Sequence, residues 1–291
     1  MITLEVLNYK KTIQMKKILF PTDFSKAANN AFVHALEFAK LVHGELVLLH
    51  TFELPVFDNQ FFSENYAAIY DSVSLSEFDM FKDEIPKLRA IAEARHLDKI
   101  KLSHRLKDGD LVTAINESIK EDKIDYVVMG TFGATGWDSF FIGTNSASVV
   151  TEVGVPVLCI PAEAPFTSIK TIGFTTRFRT KDKKALQSVL ELAHKAKAKV
   201  KCLYVKTSES DVAKETIAKW EEEFKSEPIE FFVIESDDVQ ATILDFIMYK
   251  ELDVLTLLPY KRGFFEGLFN PSLTKKLATD FEIPILSIPI K

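Results

Sequence analysis

Val127-Val128-Met129-Gly130-Thr131-Phe132-Gly133-Ala134-Thr135-Gly136 opens the stretch that decides the fold, and Trp137-Asp138-Ser139-Phe140-Phe141-Ile142-Gly143-Thr144-Asn145 completes it. Tyr126 to Met129 is apolar and of strand length, so it reads as a buried strand. Gly130 stops it, and a loop with glycine at 130, 133 and 136 follows. Gly143 then meets Thr144, and Val149, Val150 and Val153 recur at the spacing of an amphipathic helix. Glycines let a ligand approach the main chain closely. A helix start adds free N–H groups and a partial positive charge. Strand, glycine loop and helix start together suit an anion, most often a phosphate; the competing reading is an ordinary turn.

Outward from this stretch, apolar runs of strand length alternate with helical patterns. Ile18-Leu19-Phe20 reads as a strand ending at Pro21-Thr22-Asp23-Phe24, with Ser25 as the N-cap of a helix that Gly44 ends. Leu46 to Leu49 is the next strand, closing with His50 and Thr51. Phe52 to about Phe81 carries Phe57, Phe61, Phe62, Tyr66 and Tyr70 and has no firm assignment: a lid, a partner surface, a helical excursion or packing filler. A helix from about Asp83 to Arg95, a strand from Lys101 to Leu106, a turn at Asp108-Gly109-Asp110 and a helix from Leu111 to Lys120 lead back to the central strand. Val155 to Pro161 is the last strand of this half. Such alternation implies right-handed βαβ units and a parallel sheet. Ligands bind such sheets beyond the carboxyl ends of the strands, where the strand order reverses. Asp23, Thr51 and Gly130 all fall at such ends.

The second half repeats the first. Asp125 to Met129 aligns with Asp253 to Leu257, and Val155 to Pro161 with Ile283 to Pro289, both at an offset of 128 residues. Ile18 to Phe24 aligns with Ile172 to Phe178 at an offset of 154, so the second half is shorter by 26 residues, in the region of the Phe-rich segment. Residues 1–14 read as an extension, 15–162 as one domain, Ala162 to Ser168 as a linker and 169–291 as a second domain. The repeat keeps the apolar strands and loses the glycines: Leu258 stands for Gly130, Lys261 for Gly133, Pro271 for Gly143, Ser272 for Thr144 and Arg177 for Asp23. The second half is therefore not expected to bind the same ligand; Arg177, Lys261 and Arg262 read as solvated surface or as a pocket for a different anion.

Gly130, two residues, Gly133, nine residues, then Gly143-Thr144 resembles the nucleotide-binding pattern of the universal stress protein family. The resemblance covers nearly the whole chain as a tandem pair. It implies an α/β fold of two doubly wound parallel-sheet domains, Rossmann-like and similar to the adenine nucleotide alpha hydrolases, packed as a pseudo-dimer through their last strands. It also implies an adenine nucleotide, ATP or else ADP or AMP, with Mg²⁺. Carried onto this chain, Asp23 and Thr51 face the base, with Pro21 and Thr22 lining the site. Met129, Gly130 and Phe132 sit by base and ribose, and Gly133, Gly143, Thr144 and Asn145 hold phosphates. One departure is that Ala134 to Ile142 contains Asp138 and no Lys or Arg. Phosphate charge then rests on backbone N–H groups, the helix dipole and the metal, so discrimination among ATP, ADP and AMP should be weaker than a lysine-bearing loop would give.

Composition narrows the remaining classes. The 291 residues carry a formal net charge of -6 and no basic block, against a nucleic-acid partner. No apolar stretch reaches the length that spans a membrane, and the start lacks a signal peptide's features, so a cytoplasmic protein is expected. Cys159 and Cys202 sit in apolar runs, as buried free thiols do. No P-loop lysine, catalytic triad or metal-ligand spacing appears, and His50 reads as a satisfied core or rim histidine. No catalytic or metal residue is nominated. A nucleotide-binding stress-response regulator is the leading reading. A slow ATPase and a scaffold with no working site are the alternatives, and dimerisation and protein partners stay open.

Overall fold

The computed structural model describes residues 15–53, 66–131, 144–259 and 283–290, with the main chain alone at 66–69 and 144–147. The first half runs β1 (Lys16–Pro21), α1 (Lys26–Val42), β2 (Gly44–Phe52), α2 (Tyr66–Ala94), β3 (Leu102–Asp108), α3 (Leu111–Asp122), β4 (Tyr126–Gly130), α4 (Thr144–Glu152) and β5 (Val157–Ile160). The second runs β6 (Thr171–Thr175), α5 (Thr180–Ala196), β7 (Lys199–Lys206), α6 (Lys214–Glu223), β8 (Ile229–Glu235), α7 (Val239–Lys250), β9 (Val254–Leu257) and β10 (Ile285–Ser287). All ten strands form one sheet in the order β3-β2-β1-β4-β5-β10-β9-β6-β7-β8. Neighbours are parallel within each half, and β5 and β10 join the halves antiparallel.

Strand residues alternate between two apolar layers, as a pleated sheet requires. Ile18, Phe20 and Leu48 pack with Phe32 and Leu36 of α1, in a cluster that continues through Leu158 and Leu286 to Phe174 and Leu186. Leu19, Val47 and Met129 face the other way, toward Ile115 of α3 and Val149 of α4, and that cluster continues to Leu255 and Phe246. Helices thus cover both faces, and both cores cross the junction.

The two halves share loop geometry as well as strands. Phe24 and Phe178 both have positive φ (59° and 55°), as do the helix C-caps His43 and Lys197 (both 55°) and Lys123 and Glu251 (56° and 48°). Each pair is related by the offsets read in the sequence. Asp110 caps α3 by accepting from the Thr113 amide at 3.0 Å, and Asp238 caps α7 from the Ala241 amide at 3.0 Å. Asp125 accepts from the Lys17 amide (2.9 Å) and Asp253 from the Thr171 amide (2.8 Å).

Two element readings change. Helix α1 ends at Val42 with His43 as its left-handed cap, and Gly44 already belongs to β2. Glycine is needed there for space: a Cβ would lie 2.7 Å from the Lys16 carbonyl oxygen. Helix α2 begins at Tyr66, well before Asp83, and carries Pro86 inside it; this assigns the later part of the Phe-rich segment, while 54–65 lie outside the described residues. Its counterpart α6 spans only 10 residues against 29. Within the linker, the Ala164 carbonyl accepts from Asn30 Nδ2 at 2.9 Å and from His34 Nε2 at 3.1 Å.

Candidate functional site

Strand order fixes where a ligand can sit. In the first half β1 lies between β2 and β4, so the order reverses beside β1. The carboxyl ends of these three strands carry Pro21-Thr22-Asp23, Thr51 and Met129-Gly130, and all belong to one rim.

The β1–α1 loop is tied down at every residue. The Thr22 amide donates to the Leu49 carbonyl at 2.9 Å, and the buried Thr22 hydroxyl accepts from the Phe24 amide at 3.0 Å. Asp23 is exposed, and its Oδ1 accepts from the Ser25 amide at 3.1 Å. Ser25 Oγ in turn caps α1 through the Ala28 amide at 3.1 Å. The chain therefore turns sharply, with Phe24 left-handed, and presents Asp23 at the crevice mouth.

His50 Nδ1 donates to the Thr22 carbonyl at 2.7 Å, and Nε2 lies 3.4 Å from Glu77 Oε2 of α2. Phe24 and Phe81 pack on the imidazole at 5.2 and 6.1 Å between ring centroids. His50 is a satisfied histidine, as the core-or-rim reading of the sequence expected, and it links the loop bearing Asp23 to α2. The contribution of Glu77 and Phe81 was not legible, because no periodic pattern marked the start of α2.

Thr51 is half-buried near the end of β2, paired in register with Lys107. Met129 is buried, and Gly130 pairs with Ile160. A Cβ at Gly130 would meet the Ala27 carbonyl oxygen at 3.5 Å and Ala31 Cβ at 3.6 Å, which is ordinary contact. Packing against α1 therefore does not by itself demand glycine there. Thr144 and Asn145 open α4. Phe132, Gly133 and Gly143 lie outside the described residues, as do Lys261, Arg262, Pro271 and Ser272.

Both cysteines are free and buried. Burial pushes the Cys159 thiol up to about 12 and the Cys202 thiol well above its usual range, so neither supplies a thiolate. Among the described residues, no group of three or more His, Cys, Asp or Glu could hold a metal ion. No helix among them is long and apolar enough to cross a membrane.

A sequence model described as the universal stress protein family matches residues 15–161, half of the chain. The chain belongs to the universal stress protein family. A universal stress protein of Methanocaldococcus jannaschii is 28% identical over 160 residues, covering 51% of this chain and 96% of its own. A crystal structure of a universal stress protein from Archaeoglobus fulgidus covers 96% of this chain and 97% of its own, with a TM-score of 0.70 at 19% identity, a likeness of fold across both halves. One universal stress protein was crystallised in complex with cAMP. It is 19% identical over 51% of this chain and 98% of its own, with a TM-score of 0.35.

Proposed function

We propose that this universal stress protein is a stress-response regulator that binds an adenine nucleotide, ATP or else ADP or AMP, in the crevice of its first half. The observation that carries the reading is convergence. Thr22-Asp23, Thr51 and Gly130 end three adjacent strands at the point where strand order reverses, and α4 starts at Thr144 just beyond the glycine stretch. Asp23 and Thr51 face the base, with Pro21 and Thr22 beside them; Met129, Gly130 and Phe132 flank base and ribose; Gly133, Gly143, Thr144 and Asn145 hold phosphates. Mg²⁺ arrives on the phosphates in this reading, since the chain offers no carboxylate cluster among the described residues. The first domain is 15–162 and the second, 169–291, is a degenerate copy in which Leu258 fills the place of Gly130 and Arg177 that of Asp23. We read the protein as cytoplasmic and as a binding protein more than an enzyme.

The test is to denature the purified protein and quantify the released nucleotides by chromatography and mass spectrometry. Roughly one adenine nucleotide per chain is expected. Two per chain would refute the degenerate second half. None, with no calorimetric signal on adding ATP and Mg²⁺, would favour a scaffold. Phosphate release lost in Gly143→Val would turn the reading toward a slow ATPase.

A further inference from the structure

The two halves treat one charged corner differently. Just before β4 in the first half, Asp125 Oδ1 holds the Lys16 ammonium at 2.7 Å, and Oδ2 accepts from the Lys17 amide at 2.9 Å. The hydrogen bond to Asp125 keeps the Lys16 ammonium above its ordinary value against the effect of burial, with further help from the charge of Asp125, from Tyr126 and from Glu191 of α5, across the junction. Tyr126 stands beside this pair and packs edge-on to Phe38 at 5.1 Å.

The offsets of the repeat place Asp253, Lys170, Glu37 and Val254 where the first corner has Asp125, Lys16, Glu191 and Tyr126. Here Asp253 Oδ2 takes both the Lys170 and the Thr171 amides, at 2.7 and 2.8 Å. Its Oδ1 has no partner among the described residues and is not sealed from solvent. Lys170 is exposed, and its ammonium pairs with no carboxylate among the described residues. Val254 is far smaller than Tyr126. A cavity of about 230 Å³ is lined by Val254, Asp253 and Glu37, by Phe38 and Leu41 of α1, and by Phe166 of the linker. Phe166 is set against the buried His34, edge-on at 5.4 Å. The volume lies below that of drug-sized sites, so the occupant is small.

Charge decides what kind of molecule fits. Two carboxylates and two lysines line the cavity. Lys195 is exposed, and Lys40 is 64% exposed at 3.5 Å from Glu37, whose side chain is 18% exposed. Lysine stems carry their charge outward to water. The charge left on the inner wall is therefore carboxylate, with Asp253 half-buried and one of its oxygens unused. A partly desolvated carboxylate gains from a cation that donates to it.

We propose that this cavity at the junction of the halves binds a small primary amine, its ammonium on Asp253 Oδ1 as Lys16 stands on Asp125, and its apolar body against Phe38, Leu41 and Phe166. The first half displays the same contact made by a lysine of the chain itself. The site is separate from the nucleotide crevice and does not rest on that reading.

The test is calorimetric titration of the full-length protein with three probes of one shape and different charge: 2-phenylethylammonium, 2-phenylethanol and phenylacetate. The ammonium should bind saturably, at least about tenfold tighter than the alcohol or the carboxylate. Asp253→Asn keeps an oxygen for the Lys170 and Thr171 amides and sets a donor where the ammonium would sit. It should weaken the ammonium about tenfold or more while the thermal midpoint moves by only a few degrees. Glu37→Gln, on α1, should weaken it about threefold, and it stands in if Asp253→Asn does not fold. Val254→Tyr, which gives the second half the residue of the first, should abolish binding. No saturable binding of the ammonium, equal or tighter binding of the alcohol or the carboxylate, or unchanged affinity in folded Asp253→Asn overturns the proposal; with that variant unfolded, unchanged affinity in Glu37→Gln does the same.

Discussion

Asp23 is held in place by its neighbours yet stays exposed, with one carboxylate oxygen on the Ser25 amide. A residue that served only as a turn would be replaceable with little effect beyond the turn. Asp23→Ala should lower affinity for an adenine nucleotide by about tenfold or more, while the thermal midpoint moves by only a few degrees. Calorimetric titration beside a melting curve separates the two roles; unchanged affinity would leave Asp23 as a turn residue. Gly44 makes the opposite case. A Cβ there meets the Lys16 carbonyl oxygen at 2.7 Å and Ile18 Cδ1 at 2.8 Å, where β1 and β2 begin side by side. Gly44→Ala should destabilise by about 1–3 kcal/mol in urea titration without touching the ligand crevice. The sequence suggested a helix stop at this glycine, but the left-handed position belongs to His43, so the true reason is backbone proximity between β1 and β2, which no local pattern displays.

Elements were legible where apolar runs end at Pro, Gly or Asp. β1 closing on Pro21, β4 on Gly130 and α3 starting after the turn at Asp108-Gly109-Asp110 were all readable, and with them the strand ends that make the candidate site. The first part of α2 was not, because Leu75 and Phe78 are 61% and 52% exposed, so its apolar residues do not mark one buried face. The His50–Glu77 link was hidden for the same reason. The clamp of α1 on the linker was hidden too, since nothing in the sequence pairs His34 with Ala164. Burial pushes the His34 imidazole below its ordinary 6.5, against the raising effect of the Ala164 carbonyl, and Arg95 lowers it further. The folded state then binds fewer protons at this site than the unfolded chain. Its contribution is intact above about pH 6.5 and is lost as pH falls from there through the folded value. Urea titrations at about pH 7.5 and pH 5.5 should show lower stability at the acid end, and His34→Gln, which can still donate to Ala164, should reduce the difference. An undiminished difference would assign the acid sensitivity to other groups.

At the scale of the molecule, the junction has the register of a two-fold contact. Leu158 pairs with Leu286, its own counterpart at the offset of 128, while Cys159 faces Ile285 and Val157 faces Ser287. Such a contact is self-complementary: the edge that β5 offers to β10 is one it can offer to another β5. All four residues of β5 are buried, and Leu158 sits in the core cluster shared by the halves. Residues 15–161 alone would therefore expose an unpaired apolar edge, which sheets tend to cover by pairing. This fragment should form a homodimer through antiparallel β5 strands, seen by light scattering at about 50 µM, well above the affinity expected for an obligate interface. Leu158→Asp, at the centre of the pair, should shift the fragment to monomer, or to unfolded chain where the lone half is too weak to stand. A folded monomer of the unsubstituted fragment at that concentration would show that the junction depends on residues particular to β10, and that the two-fold register is a remnant of the repeat with no pairing strength of its own.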